Sequence, residues 1–363
     1  MHTITAGHPA DLIAYAYYRI GCRPRESLVL IGLLPNEPQR RAAGGGRFVT
    51  GVVARLDLPP VRARRAEFTH VMRLLADHGH EALVAMVITE RPSAALARAV
   101  RQAGRAVGMP VIDLIAVGAD SFRSMLCSDP SCCPEEGEPL DQVWHGSMAA
   151  ELVLRGLTLA DDARQVIADV LPGAEPELAA LSGGDREPPV VARRVRLARL
   201  ERWGALVAAQ PSRTDGRDAP IEETDLIELC RGLEDLRLRD AVLIAMSAPE
   251  GADGLEAARL MASGEAEIAL GGTDRRQPDE DLLARSSRVL AAVARRAPRG
   301  RRAEALGALA WAAWWQGATL RSRLLAELAL EDRPGHRLSE LVLGLLSAWV
   351  APPWLAHREQ FTS

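Results

Sequence analysis

The chain of 363 residues contains no lysine, so all 44 of its lysine-or-arginine positions are arginine. This absence excludes a lysine Schiff base and the phosphate-binding lysine of a P-loop. Because alanine and glycine are abundant, a GC-rich genome is the simplest explanation of the arginine bias. Aromatic residues are also scarce, at 4% of the chain. The hydrophobic core must therefore consist mainly of leucine, valine, alanine and isoleucine.

The chain also lacks the features of an exported or membrane-spanning protein. It has no run of about twenty uninterrupted apolar residues, and its most apolar stretch, residues 303–315, is short and is followed by Arg321. Residues 1–20 have no basic start and carry Asp11, which argues against a signal peptide. Five cysteines, an odd number, favour reduced thiols. We therefore expect a cytoplasmic protein without membrane contact.

The front half of the sequence alternates between strand and helix patterns. Apolar or β-branched runs predict strands at residues 27–34, 48–58, 82–88 and 111–117. Helical spacing of apolar residues follows at 61–78 and 93–107. We expect Ser93 to be an N-cap, the first two strands to be neighbours, and His78 and His80 to be solvated. The alternation predicts an α/β domain at residues 1–170, with a mixed, partly parallel sheet and flanking helices.

The back half has only helical patterns. A Gly- and Pro-rich segment at 171–189 predicts a linker, and residues 190–363 are expected to form an all-helical domain. Segments 290–298 and 325–334 resemble each other at a spacing close to that of a tetratricopeptide repeat. The domain is therefore expected to be a helical bundle or a short series of repeat-like helical hairpins. We predict helices near 190–209, 221–248 (broken once), 253–263, 279–296, 302–316, 320–331 and 337–349.

Three cysteines, Cys127, Cys132 and Cys133, lie within one short loop bounded by prolines. Thiolates are zinc ligands, and His145 or Cys22 would complete a tetrahedral set. The spacing C-x4-C-C matches no common zinc knuckle, however. A reversible disulfide is a second alternative. Structural thiols in a tight loop are the simplest interpretation, and zinc binding and redox chemistry stay open beside it.

Several short motifs are similar to those of one bacterial family. They are GCRPRESLV at 21–29, FRS at 122–124 leading into Cys127, CCP at 132–134 with Gly137, AW at 310–311 with Gly317, and PGHRL at 334–338. Together they resemble the actinobacterial family catalogued as domain of unknown function 4192, over nearly the whole chain. The resemblance implies a coherent fold and a bacterial origin with a GC-rich genome. It implies no particular biochemical activity. Phe122 stands where the family tends to carry tryptophan, which weakens the case for an essential stacking indole.

Carboxylates near predicted strand ends are the candidates for catalysis, because α/β domains often place active sites there. Four carboxylates lie at or near predicted strand ends, namely Asp57, Glu90, Asp113 and Asp120, and of these Asp57, Asp113 and Asp120 are the catalytic candidates. Capping of helices and turns is the simpler role for such residues. The glycine triplet at 44–46 lies between two strands and is not followed by Lys-Ser/Thr. It therefore predicts a hairpin tip rather than a phosphate loop, and we assign no cofactor-binding residue.

Two arginine clusters are candidates for nucleic-acid contact, since arginine stripes can follow phosphates. The candidates are Arg193, Arg196, Arg199, Arg295 and Arg299. A formal net charge of −4 gives no global attraction to nucleic acid or anionic membranes. A solvated helix face or an intramolecular salt-bridge network is the alternative.

Tryptophans at 311, 314 and 315 form a cluster near the C-terminal end of the chain. An exposed Trp314, together with Arg321, would make an anchor for a protein partner. The leading hypothesis is therefore an interaction or regulatory protein that uses its helical half to bind a protein. An enzyme acting on a small molecule or nucleotide at the strand ends is the first alternative, and nucleic-acid binding through the arginine clusters is the second.

Overall fold

The computed structural model of the chain describes residues 8–36, 47–60, 63–154, 157–173, 175–182, 191–212, 218–249, 254–265 and 277–354. The chain divides into two compact units, Met1–Asp162 and Ala163–Ser363. This division precedes the boundary at 170 that the composition predicted. Ile167 and Val170 belong to the core of the second unit, and so do Leu178 and Leu181 from the predicted linker. The glycine triplet at 44–46 lies outside the described residues.

The first unit contains a six-stranded mixed sheet with helices. Its elements are α1 (Pro9–Ile20), β1 (Ser27–Pro35), β2 (Phe48–Asp57), α2 (Arg64–Asp77), β3 (Ala82–Ile88), α3 (Ala94–Ala106), β4 (Val111–Val117), β5 (Ser121–Ser124), β6 (Glu138–Pro139), α4 (Asp141–His145) and α5 (Ser147–Leu154). The strand order is β2-β1-β3-β4-β5-β6. β3 and β4 are parallel, whereas the other neighbours are antiparallel. The predicted α/β architecture is confirmed.

Both faces of the central strands β1 and β3 are buried, which explains their continuous apolar sequences. Alternate residues pack with α1, α4 and α5 in one core, among them Val29, Ile31, Val84, Met86 and Ile115. The residues between them are equally buried, among them Leu28, Leu30, Leu83, Ala85 and Leu114. α2 and α3 contact each other, and α3 contacts β4. We therefore assign these two helices to the second face.

The strand directions bring four strand ends to the same side of the sheet. We call this side an edge of the sheet, meaning the one formed by strand ends and not by an outer strand. β2, β3 and β4 end there, and β1 begins there, because Ser27 pairs with both Asp57 and Ile88. The connection from β3 to α3 starts at the same edge. Ser93 directly precedes α3, and its Oγ accepts a hydrogen bond from the Leu96 N–H at 3.2 Å, so the predicted N-cap is confirmed.

The second unit is all-helical, as predicted. It comprises short 3-10 turns at Gln165–Val170 and Ala179–Leu181, then α6 (Arg193–Ala209), α7 (Glu223–Gly232), α8 (Leu236–Met246), α9 (Gly254–Ser263), α10 (Glu280–Arg296), α11 (Ala303–Trp315), α12 (Thr319–Asp332) and α13 (Arg337–Ser347). Every side chain of α11 is buried, and α8, α10, α12 and α13 all contact this helix. Of the two predicted alternatives, this central helix fits a bundle. Within the described part of the chain, every helix is too short or too polar to cross a membrane.

Candidate functional site

A cavity of about 420 Å³ opens at the edge of the sheet where β2 and β3 end. We call it the strand-edge pocket. Its lining consists of Glu26, Leu58, Arg64, Thr89, Glu90, Arg91 and Leu96. These residues come from the start of β1, the end of β2, the first turn of α2 and the connection from β3 to α3. The pocket therefore occupies the position at which open α/β sheets commonly bind ligands.

Thr89, which follows β3, is hydrogen-bonded to Glu26, which precedes β1, and both residues line the strand-edge pocket. Its Oγ1 donates to the Glu26 carboxylate, at 2.9 Å from Oε1 and 3.0 Å from Oε2, and accepts from the Arg91 N–H at 3.3 Å. Thr89 is buried, whereas Glu26 is exposed. Glu26 has a φ of +40°, a left-handed conformation that is uncommon for a residue other than glycine. The backbone is thus strained where its carboxylate faces the cavity.

The charged residues of the strand-edge pocket are two guanidinium groups and two carboxylates. Arg64 is the first residue of α2, and its Nε donates to the Pro59 carbonyl at 3.0 Å, which orients the rest of the guanidinium. Arg91 and Glu90 belong to the loop before α3. Guanidinium groups bind phosphate and carboxylate oxygens, and carboxylates accept hydrogen bonds from hydroxyl or amino groups.

The three predicted catalytic aspartates are not brought together. Asp57 ends β2 with a largely exposed side chain paired to Arg55 at 2.6 Å, and Asp120 is exposed after β4. Asp113 lies near the start of β4, at the opposite edge, where its carboxylate accepts the Ser124 hydroxyl at 2.6 Å. None of the three lines the strand-edge pocket. The pocket residues Glu26, Arg64, Thr89 and Arg91 were missed because β3 pairs with the other side of β1, a neighbour relation that the sequence does not reveal.

The cysteine loop, residues 127–133, brings three sulfur atoms together between β5 and β6. The Sγ atoms of Cys127, Cys132 and Cys133 all lie within 4.8 Å of one another, and those of Cys132 and Cys133 are 3.9 Å apart. Partial burial, and then the neighbouring Cys127 thiol, raise the pKa of Cys133 to about 11. Among the described residues, this group includes neither His145 nor Cys22. His145 is exposed at the end of α4, and Cys22 is buried.

Hydrogen bonds within the chain hold the cysteine loop in shape. Ser124 Oγ accepts from the N–H groups of Leu126 and Cys127 at 3.1 and 3.2 Å. The Asp129 carbonyl accepts from the N–H groups of Cys132 and Cys133 at 3.2 and 2.8 Å. The Asp129 carboxylate accepts both the N–H and the hydroxyl of Ser131. Hydrogen bonding from Ser131 lowers the pKa of Asp129, so the carboxylate form is the one that closes the turn.

The comparison with protein families adds one result. The family model described as "Domain of unknown function (DUF4192)" matches residues 9–353. The chain belongs to the DUF4192 family. Neither the curated proteins nor the solved structures gave a match.

The motifs that resemble the DUF4192 family have structural positions in this chain. Gly21 ends α1 with a φ of +88°, and Glu26 of the same motif lines the strand-edge pocket. Gly137 has a φ of +80°, and a Cβ there would approach the Phe122 carbonyl to 2.8 Å. Gly335 has a φ of +76° and precedes the buried His336. The motifs thus include turns, one pocket residue and a buried histidine.

The two residues predicted to bind a partner are used inside the second unit. Trp314 is buried and packs beside Trp311 and Trp315, and its Nε1–H donates to the Val350 carbonyl at 2.9 Å. Arg321 binds both carboxylate oxygens of Asp169, at 2.9 and 2.6 Å. The hypothesis of a partner anchor required an exposed Trp314, and Trp314 is buried. These residues stabilise the helical unit instead of presenting an anchor.

Most of the predicted nucleic-acid-binding arginines form ion pairs within the chain. The pairs are Arg193–Glu265, Arg196–Asp235, Arg199–Glu228 and Arg295–Glu175. Arg299 lines an open surface cavity together with Arg301, and Arg301 is itself paired with Glu234 at 3.0 Å. The arrangement corresponds to the salt-bridge network that was the alternative interpretation of these clusters.

Proposed function

We propose that the α/β unit binds a small anionic molecule in the strand-edge pocket. The observation that supports this function is the cavity itself, which brings Arg64 and Arg91 together with Glu26 and Glu90 at one edge of the sheet. A phosphate ester or nucleotide has the matching chemistry. Its anionic group would meet the two guanidiniums, and its hydroxyl or amino groups would meet the carboxylates.

The N-terminus of α3 adds to this preference for an anion. α3 has 13 residues, and the partial positive charge of a helix N-terminus stabilises anionic groups near its first turn. Leu96, in that first turn, lines the pocket, and Arg91 lies just before the helix. Arg64, the first residue of α2, adds the full positive charge of its guanidinium to the same pocket.

This proposal corresponds to the first alternative from the sequence, a protein that acts on a small molecule or nucleotide at the strand ends. The carboxylates involved are Glu26 and Glu90 rather than the aspartates. Partner binding through Trp314 and Arg321 is not retained, since both side chains are occupied within the helical unit. We also propose a reducing cytoplasmic location, which the five free thiols support.

The first test is binding of nucleoside mono-, di- and triphosphates and of inorganic phosphate to the purified full chain. Thermal-shift measurements would find the ligand, and titration calorimetry would give its Kd. The double variant Arg64→Ala with Arg91→Ala should weaken binding by about 100-fold or more, because each charged hydrogen bond contributes about 1.5–3 kcal/mol and the variant removes two donors.

A matched control uses one other arginine from each of the two helices, α2 and α3, that contribute residues to the pocket. Arg65 and Arg98 are exposed and do not line the strand-edge pocket. The double variant Arg65→Ala with Arg98→Ala removes the same net charge, so it should leave the Kd nearly unchanged. Equal weakening by the two double variants would mean that the attraction is a general charge effect. Absence of binding across the whole panel would refute the proposed function.

A further inference from the structure

The five cysteines of the chain fall into two physical classes. Cys22 and Cys230 are buried, and burial raises the pKa of both thiols, that of Cys230 to about 12. Such thiols behave as small apolar side chains. Cys127 and Cys133 are only half-buried, and Cys132 is exposed. Free cysteine is among the most commonly buried residue types, so three accessible thiols on one surface loop need a separate explanation.

The spacing of the three sulfur atoms fits a single metal ion. Zinc–thiolate bonds of about 2.3 Å in a tetrahedral arrangement place the sulfurs about 3.8 Å apart. The Cys132 and Cys133 sulfurs are 3.9 Å apart, and every sulfur pair of the loop lies within 4.8 Å. Side-chain rotations that move the sulfur atoms by no more than about 1 Å would therefore bring all three to the distances of a zinc site.

The loop backbone is fixed independently of any ion. Ser124 holds the N–H of Cys127, and the Asp129 carbonyl holds the N–H groups of Cys132 and Cys133. Ser124 is itself held by the Asp113 carboxylate, so Asp113 acts as a positioning residue for this loop. At the far side of the loop, Arg123 donates to the Glu135 carbonyl at 2.9 Å. The fold therefore already fixes the backbone positions of the three cysteines, and metal binding would cost little further conformational entropy.

We propose that Cys127, Cys132 and Cys133 form a three-thiolate binding site for Zn²⁺. Binding transfers the thiol protons to solvent as the sulfur lone pairs bond to the metal. In the described part of the chain, these three side chains are the whole ligand group. The fourth tetrahedral position is therefore open to water or to a ligand from another molecule, the arrangement found in catalytic and exchangeable zinc sites rather than closed structural ones. This site is independent of the strand-edge pocket.

A disulfide is the main competing explanation for the close sulfurs. Between Cys132 and Cys133 it is disfavoured, because neighbouring Cα atoms are about 3.8 Å apart across a trans peptide, less than the roughly 4.4–6.8 Å usual for a disulfide. A bond from Cys127 to either partner is sterically open, but it would require an oxidant and would leave one thiol over. Metal binding uses all three thiols without a change in oxidation state.

The test is metal analysis of the full chain, purified with a reductant and without chelator. We expect one equivalent of zinc by mass spectrometry of the metal content, released by a thiol-modifying reagent. Replacement with Co²⁺ should give a thiolate-to-cobalt charge-transfer band and the visible bands of a tetrahedral ion. Each of the variants Cys127→Ser, Cys132→Ser and Cys133→Ser should weaken zinc binding by tenfold or more and reduce the charge-transfer intensity by about one third.

Two control variants distinguish a site from a general loss of structure. Ser128→Ala changes the same exposed loop but keeps all three thiols, so it should bind zinc as the parent chain does. His145→Ala should also retain one equivalent, and loss of zinc in this variant would overturn the three-thiolate assignment. Circular dichroism would verify folding of each variant. The proposal fails if the folded, reduced parent chain binds no Zn²⁺ or Co²⁺, or if a Cys127–Cys133 disulfide is found under reducing conditions.

Discussion

At the scale of single residues, His80 is a buried side chain that leaves room only for glycine at two neighbouring strand positions, Gly32 and Gly51. It is buried, its Nε2 accepts from the Val52 N–H at 3.1 Å, and its Nδ1 lies 2.9 Å from the Leu75 carbonyl. Both contacts are satisfied by the neutral ring with the proton on Nδ1. The sequence suggested a solvated histidine at a helix end, and this was wrong for His80, because the ring fills the space above two strand glycines.

The first prediction concerns one of those glycines, Gly32. A Cβ at this position would lie 2.3 Å from His80 Cδ2, and the ring cannot move without losing its hydrogen bonds. We therefore expect Gly32→Ala to lower the free energy of unfolding by about 1–3 kcal/mol, measured by urea denaturation. In the double variant, His80→Ala removes the ring that the new Cβ would contact. The double variant should therefore recover part of the stability lost in Gly32→Ala.

Gly344 provides the control for this substitution. It lies within α13, and a Cβ there would have no neighbour within 4 Å. Gly344→Ala should therefore be neutral or stabilising by about 0.5–1 kcal/mol, because alanine is the better helix residue. If Gly32→Ala were as well tolerated as Gly344→Ala, the tight packing of His80 on β1 would be wrong.

At the scale of elements, the arginine face of α6 joins neighbouring helices rather than a phosphate backbone. Arg196 donates through Nε to the Ala262 carbonyl and through Nη1 to the Val191 carbonyl, both at 2.7 Å. It also pairs with Asp235, the N-cap of α8, at 3.4 Å, and both side chains are nearly buried. Arg193, one turn earlier, pairs with Glu265 while both side chains remain about half exposed.

These two arginines should differ in their contribution to stability. We expect Arg196→Ala to lower the free energy of unfolding by about 1–3 kcal/mol, since the Ala262 and Val191 carbonyls lose this donor and the buried Asp235 carboxylate loses its cation. Arg193→Ala should change it by less than about 0.5 kcal/mol, because exposed ion pairs contribute little. Urea denaturation of both variants gives the comparison. Equal losses in the two variants would show that the contribution of an α6 arginine to stability does not depend on its burial.

The elements themselves were largely predictable, because the signals for them are local. The strand at 82–88, the strand at 111–117 and the cap at Ser93 agree with the structure residue by residue, since apolar runs and N-caps are read over a few positions. The short strands β5 and β6 have no such signal and were missed. The strand-edge pocket was missed for a different reason. Glu26 and Thr89 meet only because β1 pairs antiparallel with β3 as well as with β2, and this strand order is set by packing over the whole sheet.

At the scale of the whole molecule, the helical unit contains a buried charge cluster beside its central helix. Glu304 of α11 receives hydrogen bonds from Arg333 and from His336 Nε2, the latter at 3.0 Å, and lies 3.6 Å from an Arg239 nitrogen. His336 Nδ1 lies 2.8 Å from the Ser339 hydroxyl. The order Ser339–His336–Glu304 resembles a catalytic triad, but all three residues are buried. The cluster therefore joins α8, α11 and α13 rather than serving a substrate.

This cluster makes the stability of the molecule sensitive to acid. Burial alone would raise the pKa of Glu304, but the hydrogen bonds from His336 and Arg333 outweigh it and lower the pKa from 4.5 to about 2. A carboxyl group with a lowered pKa in the folded state stabilises that state above its unfolded pKa. The contribution is fully present above pH 4.5 and is lost as the pH falls toward 2.

The variant Glu304→Gln measures this contribution. At pH 7 it should lower the free energy of unfolding by about 3 kcal/mol, since it removes one partner from a buried charged group. The difference between the parent chain and the variant should shrink by about 2 kcal/mol between pH 5 and pH 3, because over this range the carboxyl group of the unfolded parent takes up a proton while that of the folded parent stays ionised. Glu327→Gln is the control. Its ion pair with Arg323 on α12 is exposed, so its effect should stay below about 0.5 kcal/mol at every pH. A pH-independent difference for Glu304→Gln would mean that the hydrogen-bond geometry, and not the charge of Glu304, holds the three helices together.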